Sequence, residues 1–488
     1  MDASNEALRA ERLGEVVALA HERLQADRRV AFDTFAAQCF GQFDVDDLAE
    51  RRVEDLAGAL LSHWQFGAQR HPGHAKVRAM SPTVADDGWA SRHTVVQIVN
   101  DDMPFLVDST TVDINLQGLT IHLVVHPVFA VQRDAKGALV SLATPAAEPE
   151  APRESWMHIE VDRLVDADQR ASLAAAIDKV LGDVRAAVSD WPQMVQRLQE
   201  AIAEFDGLPA VLAAEQVAEC KAFLEWVAQD HLVLLGYRHH VIEGEGDATG
   251  LRLVSGTGLG VLRESEAERA DPPLSLLPGP ARQTATAPLP LLVVTKANTR
   301  STIHRPGYTD YIGVKRYDGK GRVVGEHRFL GLFTSSFYAA RVSETPLLRG
   351  KVEAIATRAG LPPGGHRAKA LAHILETYPR DDLFQIGDDE LYETTLGILA
   401  LGDRQRLRLF LRRDPFDRFV SCLLYVPREA YATDLRVKCQ QILLAAFDGH
   451  SPEFDVLLGE GALARIHFVV RTRPGRVPVV DRRELEAR

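Results

Sequence analysis

Cysteine is scarce: Cys39, Cys220, Cys422 and Cys439 are the only four in 488 residues, and no two form a CxxC pair. That spacing excludes a disulfide framework and a thiolate zinc site, and leaves reduced core thiols as the expectation. Long apolar runs are absent too, none approaching the roughly 18 residues a membrane-spanning helix needs. The N-terminal stretch carries Asp2, Glu6, Glu11 and Glu15 and no apolar core, so no secretory signal is expected. Positive charge is in deficit, with 56 Lys and Arg against 68 Asp and Glu. A net charge of −12 is the opposite of the basic footprint of a nucleic-acid binder. The expectation is a cytoplasmic chain with neither nucleic acid nor membrane as partner.

Catalytic signatures are missing as well. Gly256-Thr257-Gly258-Leu259-Gly260 has the spacing G-x-G-x-G, and no capped helix follows it. A dinucleotide fingerprint needs G-x-G-x-x-G opening a helix, so a turn between strands is expected here. Ser301 and Ser335 lack a nucleophile-elbow context. His122 and His126 fall in one expected strand, about 13 Å apart by strand rise. His239 and His240 are strand neighbours that point to opposite faces, so neither pair suits a metal. No catalytic, cofactor-binding or metal-ligating residue is assigned.

What is present is ordinary globular composition, 46% hydrophobic and 25% charged. The length predicts roughly two to four domains. Residues 5–25 and 46–66 read as amphipathic helices, the second with Leu48, Val53, Leu56, Leu60 and Leu61 on one face. A strand at Thr94–Val99 leads into the turn Asn100-Asp101-Asp102-Met103-Pro104. Pro104 belongs in the first turn of the following helix, which Gly118 closes. Thr120–Val131 reads as one long strand, Ala138–Leu142 as a short one, and residues 143–152 as a loop. Trp156–Val161 is a further strand, and Leu173 to Val188 a long helix. This β-α-β-β-α order is the skeleton of a ferredoxin-like sandwich.

A helical connector follows, broken at Trp191-Pro192. The middle of the chain opens with a helix at Glu215–Ala228 and then reads as antiparallel strands at Leu232–Val241, Leu291–Thr295, Tyr308–Arg316 and Arg322–Phe333. A Pro-rich loop spans residues 271–290. Residues 347–401 are helical, and strands at Arg418–Val426, Phe454–Gly459 and Ala462–Arg471 with a helix at Ala432–Phe447 repeat the first module. That second module stops where its last helix begins. The expected divisions are 1–90 (helical), 91–190 (first module), 191–214 (connector), 215–345 (sheet domain), 346–402 (helical linker) and 403–488 (second module, truncated).

The turn after the first strand is the place for a ligand. A helix N-terminus beside carboxylates suits both ends of an amino acid: its carboxylate takes the amides and its ammonium faces Asp101 or Asp102. The effector set is Asn100, Asp101, Asp102, Met103 and Phe105, in a binding role with no bond-making. A turn-and-cap pair that only answers the helix dipole is the plainer alternative. Lys296, Arg300, His304 and Arg305 suggest a small anion patch, with a solvated strand end as its alternative.

Several stretches together resemble the large, NAD-specific glutamate dehydrogenases of bacteria. They are NDDMPFLVDS (100–109), IHLVVHPVFAVQRDAKG (121–137), HLVLLGYRHH (231–240), GTGLGVLR (256–263), the long block 295–338, YPRDDLFQI (378–386) and RIHFVVRT (465–472). Val233-Leu234 departs from the more aromatic pair the family leads one to expect. The resemblance implies an α+β multidomain fold in which amino-acid-sensing ACT modules flank a PAS-like antiparallel sheet domain, with helical connectors. It implies the N-terminal, non-catalytic part of a homo-oligomeric enzyme that converts L-glutamate and NAD to 2-oxoglutarate, ammonia and NADH. None of the family's catalytic residues can be carried onto a position here. The segment alone is expected to be inactive and to bind no NAD. A stand-alone ACT/PAS scaffold without ligand sensing is the alternative.

Overall fold

A computed structural model of the chain describes residues 3–402, 404, 406–459, 461–473 and 475–488. The backbone divides into two compact units, Met1–Ser189 with Ser301–Gly307, and Asp190–Arg300 with Tyr308–Arg488. The fold is mixed α+β, and every sheet pairing is antiparallel.

In the first unit the strands Lys76–Met80 (β1), Thr94–Asp101 (β2), Ile121–Val125 (β3), Val128–Arg133 (β4), Leu139–Ala143 (β5) and Arg153–Val161 (β6) form one sheet. Its order is β1-β2-β6-β4-β5, with β3 also on β6. The long strand expected over 120–131 is two strands lying end to end along β6. Pro127 has no N–H for the ladder, so pairing lapses at His126-Pro127 and only the Pro127 carbonyl is used, by the Trp156 N–H at 3.0 Å. His122 and His126 therefore do not share a strand.

Four helices cover one face of this sheet: Ala3–His21, Arg29–Phe40, Val45–Glu50 and Val53–Gly67. The second was not expected, although Phe32, Phe35, Ala36, Cys39 and Phe40 recur at helical spacing and are all buried. The single helix expected over 46–66 is two. Arg51 takes extended backbone between them (φ −95°, ψ 146°) and its guanidinium reaches Glu160 on β6. The opposite face is served by helix Leu106–Leu116 and by the part of helix Ala167–Glu204 that precedes Asp190. The whole of the latter helix runs through Pro192 without the expected break, 38 residues in all.

In the second unit Leu232–Glu243 (β7), Gly250–Leu253 (β8), Leu259–Gly260 (β9), Leu274–Leu276 (β10), Leu292–Arg300 (β11), Tyr308–Tyr317 (β12) and Val323–Phe333 (β13) form a seven-stranded sheet. The Pro-rich stretch is not all loop, since it holds β10 and the helix Gly279–Thr286. Helices Leu348–Ala359, His366–Thr377, Arg380–Gln385 and Asp388–Leu401 follow. A four-stranded sheet of Arg408–Arg413 (β14), Phe419–Pro427 (β15), Ser451–Leu457 (β16) and Leu463–Arg471 (β17) has the order β14-β15-β17-β16. The closing helix Arg482–Ala487 is capped by Asp481, whose carboxylate accepts from the Arg483 and Glu484 amides. No helix among the described residues is long and apolar enough to cross a membrane.

Packing in the first unit centres on Trp156 of β6, fully buried among Phe35, His63 and Phe129 with ring centroids 5.3, 5.4 and 5.9 Å away. A Cβ at Gly67 would overlap its indole ring. Gly67→Ala is therefore expected to cost about 1–3 kcal/mol through overpacking, read as a lower urea midpoint at an unchanged slope. An unchanged midpoint would contradict this packing.

Candidate functional site

The turn after β2 is shaped by two competing demands. The Asp102 amide still donates to the Arg153 carbonyl at 3.0 Å, extending the β2–β6 ladder by one residue. The chain must then reverse into the helix Leu106–Leu116 within three residues. Phe105 accomplishes this in left-handed backbone (φ 73°) and serves as N-cap with no side-chain cap bond. Pro104 consequently lies outside the helix and not in its first turn. A bulky residue at positive φ costs on the order of 1–3 kcal/mol and persists only where its surroundings fix it. Here the Ser109 amide and hydroxyl both donate to the Phe105 carbonyl.

Asn100 and Asp101 are engaged inside the protein. The Asp101 carboxylate accepts from Arg70 at 2.6 Å, from the Gly73 amide at 2.8 Å and from Arg185. Arg185 also donates to the Asn100 side-chain carbonyl, while the Asn100 amide nitrogen is buried without a partner. Arg70 continues to Glu154 at 2.7 Å. Glu154 further accepts from Arg133 at 2.6 and 2.8 Å and from the Trp156 indole at 3.1 Å. Burial pushes the Asp101 and Glu154 carboxyls up, but the guanidiniums outweigh it and hold both below their ordinary values.

Asp102 differs. It is half-buried, its carboxylate accepts no hydrogen bond among the described residues, and burial pushes it up against the pull of His126 and Arg153. Met103 and Phe105 flank it, both partly exposed. His304, at φ 69°, donates its amide to the Ser109 hydroxyl at 3.0 Å. Its ring lies 5.2 Å from that of Phe105 and 3.3 Å from the Asp108 carboxylate. This cluster thus offers one unengaged carboxylate, an uncapped helix start and an aromatic flank.

The remaining sequence candidates have internal partners. The Gly256, Thr257 and Gly258 amides all donate to the buried Glu264 carboxylate at 2.8–2.9 Å, so the anion nest of the Gly-rich segment is filled by the chain itself. Lys296 lies 2.7 Å from Asp310 and 3.3 Å from Asp381. Burial pushes the Asp310 carboxyl up to about 6 despite that lysine. Arg300 stacks over Tyr308, 5.0 Å from its ring centre. Lys296 and Arg300 belong to the second unit, His304 and Arg305 to the first. His239 meets Arg316 at 2.8 Å, and His240 is buried on the other face of β7. Arg70, Arg133, Arg185 and Glu154 were not picked out from the sequence. The available signal was the alternation Glu154, Trp156, His158, Glu160, which puts charge on the inner face of a central strand.

Comparison with known proteins gives three family matches: the glutamate dehydrogenase ACT1 domain over residues 35–177, helical motif 1 over 345–404, and the ACT2 domain over 408–488. The chain is 40% identical over 471 residues to the NAD-specific glutamate dehydrogenase of Halomonas elongata, covering 95% of this chain and 29% of that protein. It is 37% identical to that of Pseudomonas aeruginosa, over 93% and 28% of the two chains. The Mycobacterium tuberculosis relative is 30% identical over 85% and 24%. The chain therefore spans less than a third of the length of these relatives.

Glu154→Gln removes the charge that answers two buried guanidiniums and is expected to destabilise the chain by about 3–5 kcal/mol, measured by urea unfolding. A loss below about 1 kcal/mol would show the network to be incidental. Acid sensitivity follows from Glu160, which burial raises but His158 and Arg51 together bring down to about 2 from an ordinary 4.5. A lowered folded value means the unfolded chain binds the proton first, so this stability is complete above pH 4.5 and is lost as pH falls toward about 2. Thermal midpoints across that window should fall more steeply for the wild type than for Glu160→Gln. Parallel curves would contradict this assignment.

Proposed function

We propose that this chain, which belongs to the NAD-specific glutamate dehydrogenase family as its N-terminal regulatory region, answers to an amino-acid effector on behalf of such an enzyme. The parent would oxidatively deaminate L-glutamate to 2-oxoglutarate and ammonia while reducing NAD, through groups that this segment does not supply. The effector site is Asn100, Asp101, Asp102, Met103 and Phe105. Asn100 and Asp101, held by Arg185 and Arg70, set the shape of the turn. Asp102 faces the ligand ammonium, the first-turn amides of Leu106–Leu116 take its carboxylate, and Met103 and Phe105 meet its side chain. The observation that carries this reading is the unengaged, half-buried Asp102 beside an uncapped helix start.

The PAS-like identity of the middle sheet, the domain divisions drawn from the sequence, a cytoplasmic homo-oligomer and the absence of NAD binding in this segment belong to the same proposal. Allosteric coupling is typically worth about 1–3 kcal/mol, so one occupied turn per chain is enough to shift a parent enzyme between states.

The isolated chain is expected to form no NADH from glutamate and NAD, and robust turnover by pure protein would refute the regulatory reading. In a thermal-shift panel of amino acids one class should raise the midpoint. Asp102→Ala should weaken that binder by about tenfold or more, the value of a lost hydrogen bond to a charge. Unchanged affinity would remove the turn from the site.

A further inference from the structure

The first unit contains a cleft that the turn does not use. It is about 330 Å³, at the small end of ordinary ligand pockets, and is bounded by helices Arg29–Phe40 and Val53–Gly67, the loop Trp89–His93 and one end of β6. Phe40, Phe43, Leu56, Leu60, Trp89 and Val125 give it apolar walls. Its floor is ionic. Glu160, with a side chain only 2% exposed, accepts both amino groups of Arg51 at 2.6 and 2.8 Å, and His158 lies 3.4 Å from the same carboxylate. Burial, and after it the neighbouring His158, hold the His63 imidazole well below its ordinary value.

The walls are built to hold this shape. A Cβ at Gly58 would overlap Trp89, so glycine at that position admits the indole against the helix. The Asp55 carboxylate accepts the Ala90 amide at 2.8 Å, and Arg163 donates to the Ser91 carbonyl at 2.6 Å. Arg92 and Glu50 stand at the rim, engaged in no ion pair among the described residues. A buried ion pair adds little stability over well-packed apolar groups. Beneath an open apolar cleft it places one charge of each sign within a ligand's reach.

We propose that this cleft is a second binding site, for a small zwitterion with an apolar body, of the chemistry of an aliphatic α-amino acid. The ligand carboxylate meets Arg51 and Arg92, the ammonium meets Glu160 and Glu50, and the side chain lies against Leu56, Leu60 and Trp89. The site extends the amino-acid reading of the previous subsection to a place distinct from the turn.

The test is calorimetric titration of L-leucine into the full chain and three variants. Ala59 lines the cleft and takes no part in the Arg51–Glu160 ion pair, so Ala59→Leu is chosen to fill the space while leaving both charged groups in place. The expected result is that wild type and Asp102→Ala bind leucine alike. Ala59→Leu and Arg51→Met should bind it about tenfold or more weakly. Arg51→Met strands a buried carboxylate and risks unfolding, whereas Ala59→Leu does not. Isopentylamine and 4-methylpentanoate, each lacking one charge, should also bind more weakly than leucine, and equal affinity for either would overturn the zwitterion. Leucine binding untouched by Ala59→Leu would overturn the cleft. Binding of any amino acid lost only in Asp102→Ala would overturn the cleft while leaving the turn as the effector site. No binding of any amino acid would overturn both.

Discussion

The inner face of β6 sets the terms for the first unit. Strand alternation turns Glu154, Trp156, His158 and Glu160 to one side, and all four are buried. Two carboxylates in that position are tolerable only if each is paired, because an isolated buried charge is far too costly. Glu154 is answered by Arg70 and Arg133, and Glu160 by Arg51. Arg51 and Arg70 come from the N-terminal helical region, which also supplies Phe35 and Trp64 to cover Trp156. Those helices are therefore part of the fold of this sheet and not an appendage to it.

The same network fixes the turn. Arg70 bridges Glu154 and Asp101, so the buried core and the end of β2 share one guanidinium. Arg185 pins Asp101 and Asn100 from the other helix. With both residues locked, Asp102 is left over, and Phe105 must take its left-handed conformation to start the helix. In the proposed reading, a turn preorganised in this way would meet a ligand without further ordering cost. The second unit handles a similar opportunity in the opposite way, since its Gly-rich nest is occupied by Glu264.

Much of the fold was legible because it is periodic. β2, β6, the long helix and the antiparallel middle sheet all follow from apolar spacing. The misses have physical causes. The short strand β1 is half-buried at every residue and β14 does not alternate strictly, so both are defined by their partners. Helix Arg29–Phe40 carries a clear apolar stripe of Phe32, Phe35, Ala36, Cys39 and Phe40. Pro127 split a strand and Pro192 did not split a helix, although local rules treat both as breakers. For the candidate site, its place in the chain was legible and its chemistry only partly so. The sequence offers Asp101 and Asp102 as equals, and partners 31, 84 and 28 residues away in Arg70, Arg185 and Gly73 separate them. His304, 195 residues from Ser109, could not be placed at the turn by any local rule.

Regulation in this account begins with a ligand settling on a turn that the Glu154 network has already shaped. Hydrogen–deuterium exchange of the whole chain, with and without a saturating amino acid whose binding Asp102→Ala weakens, tests that claim most directly. The account predicts slowed exchange at the amides of residues 103–108, with the already protected β6 unchanged. Binding that slows exchange elsewhere while leaving those amides untouched would contradict it.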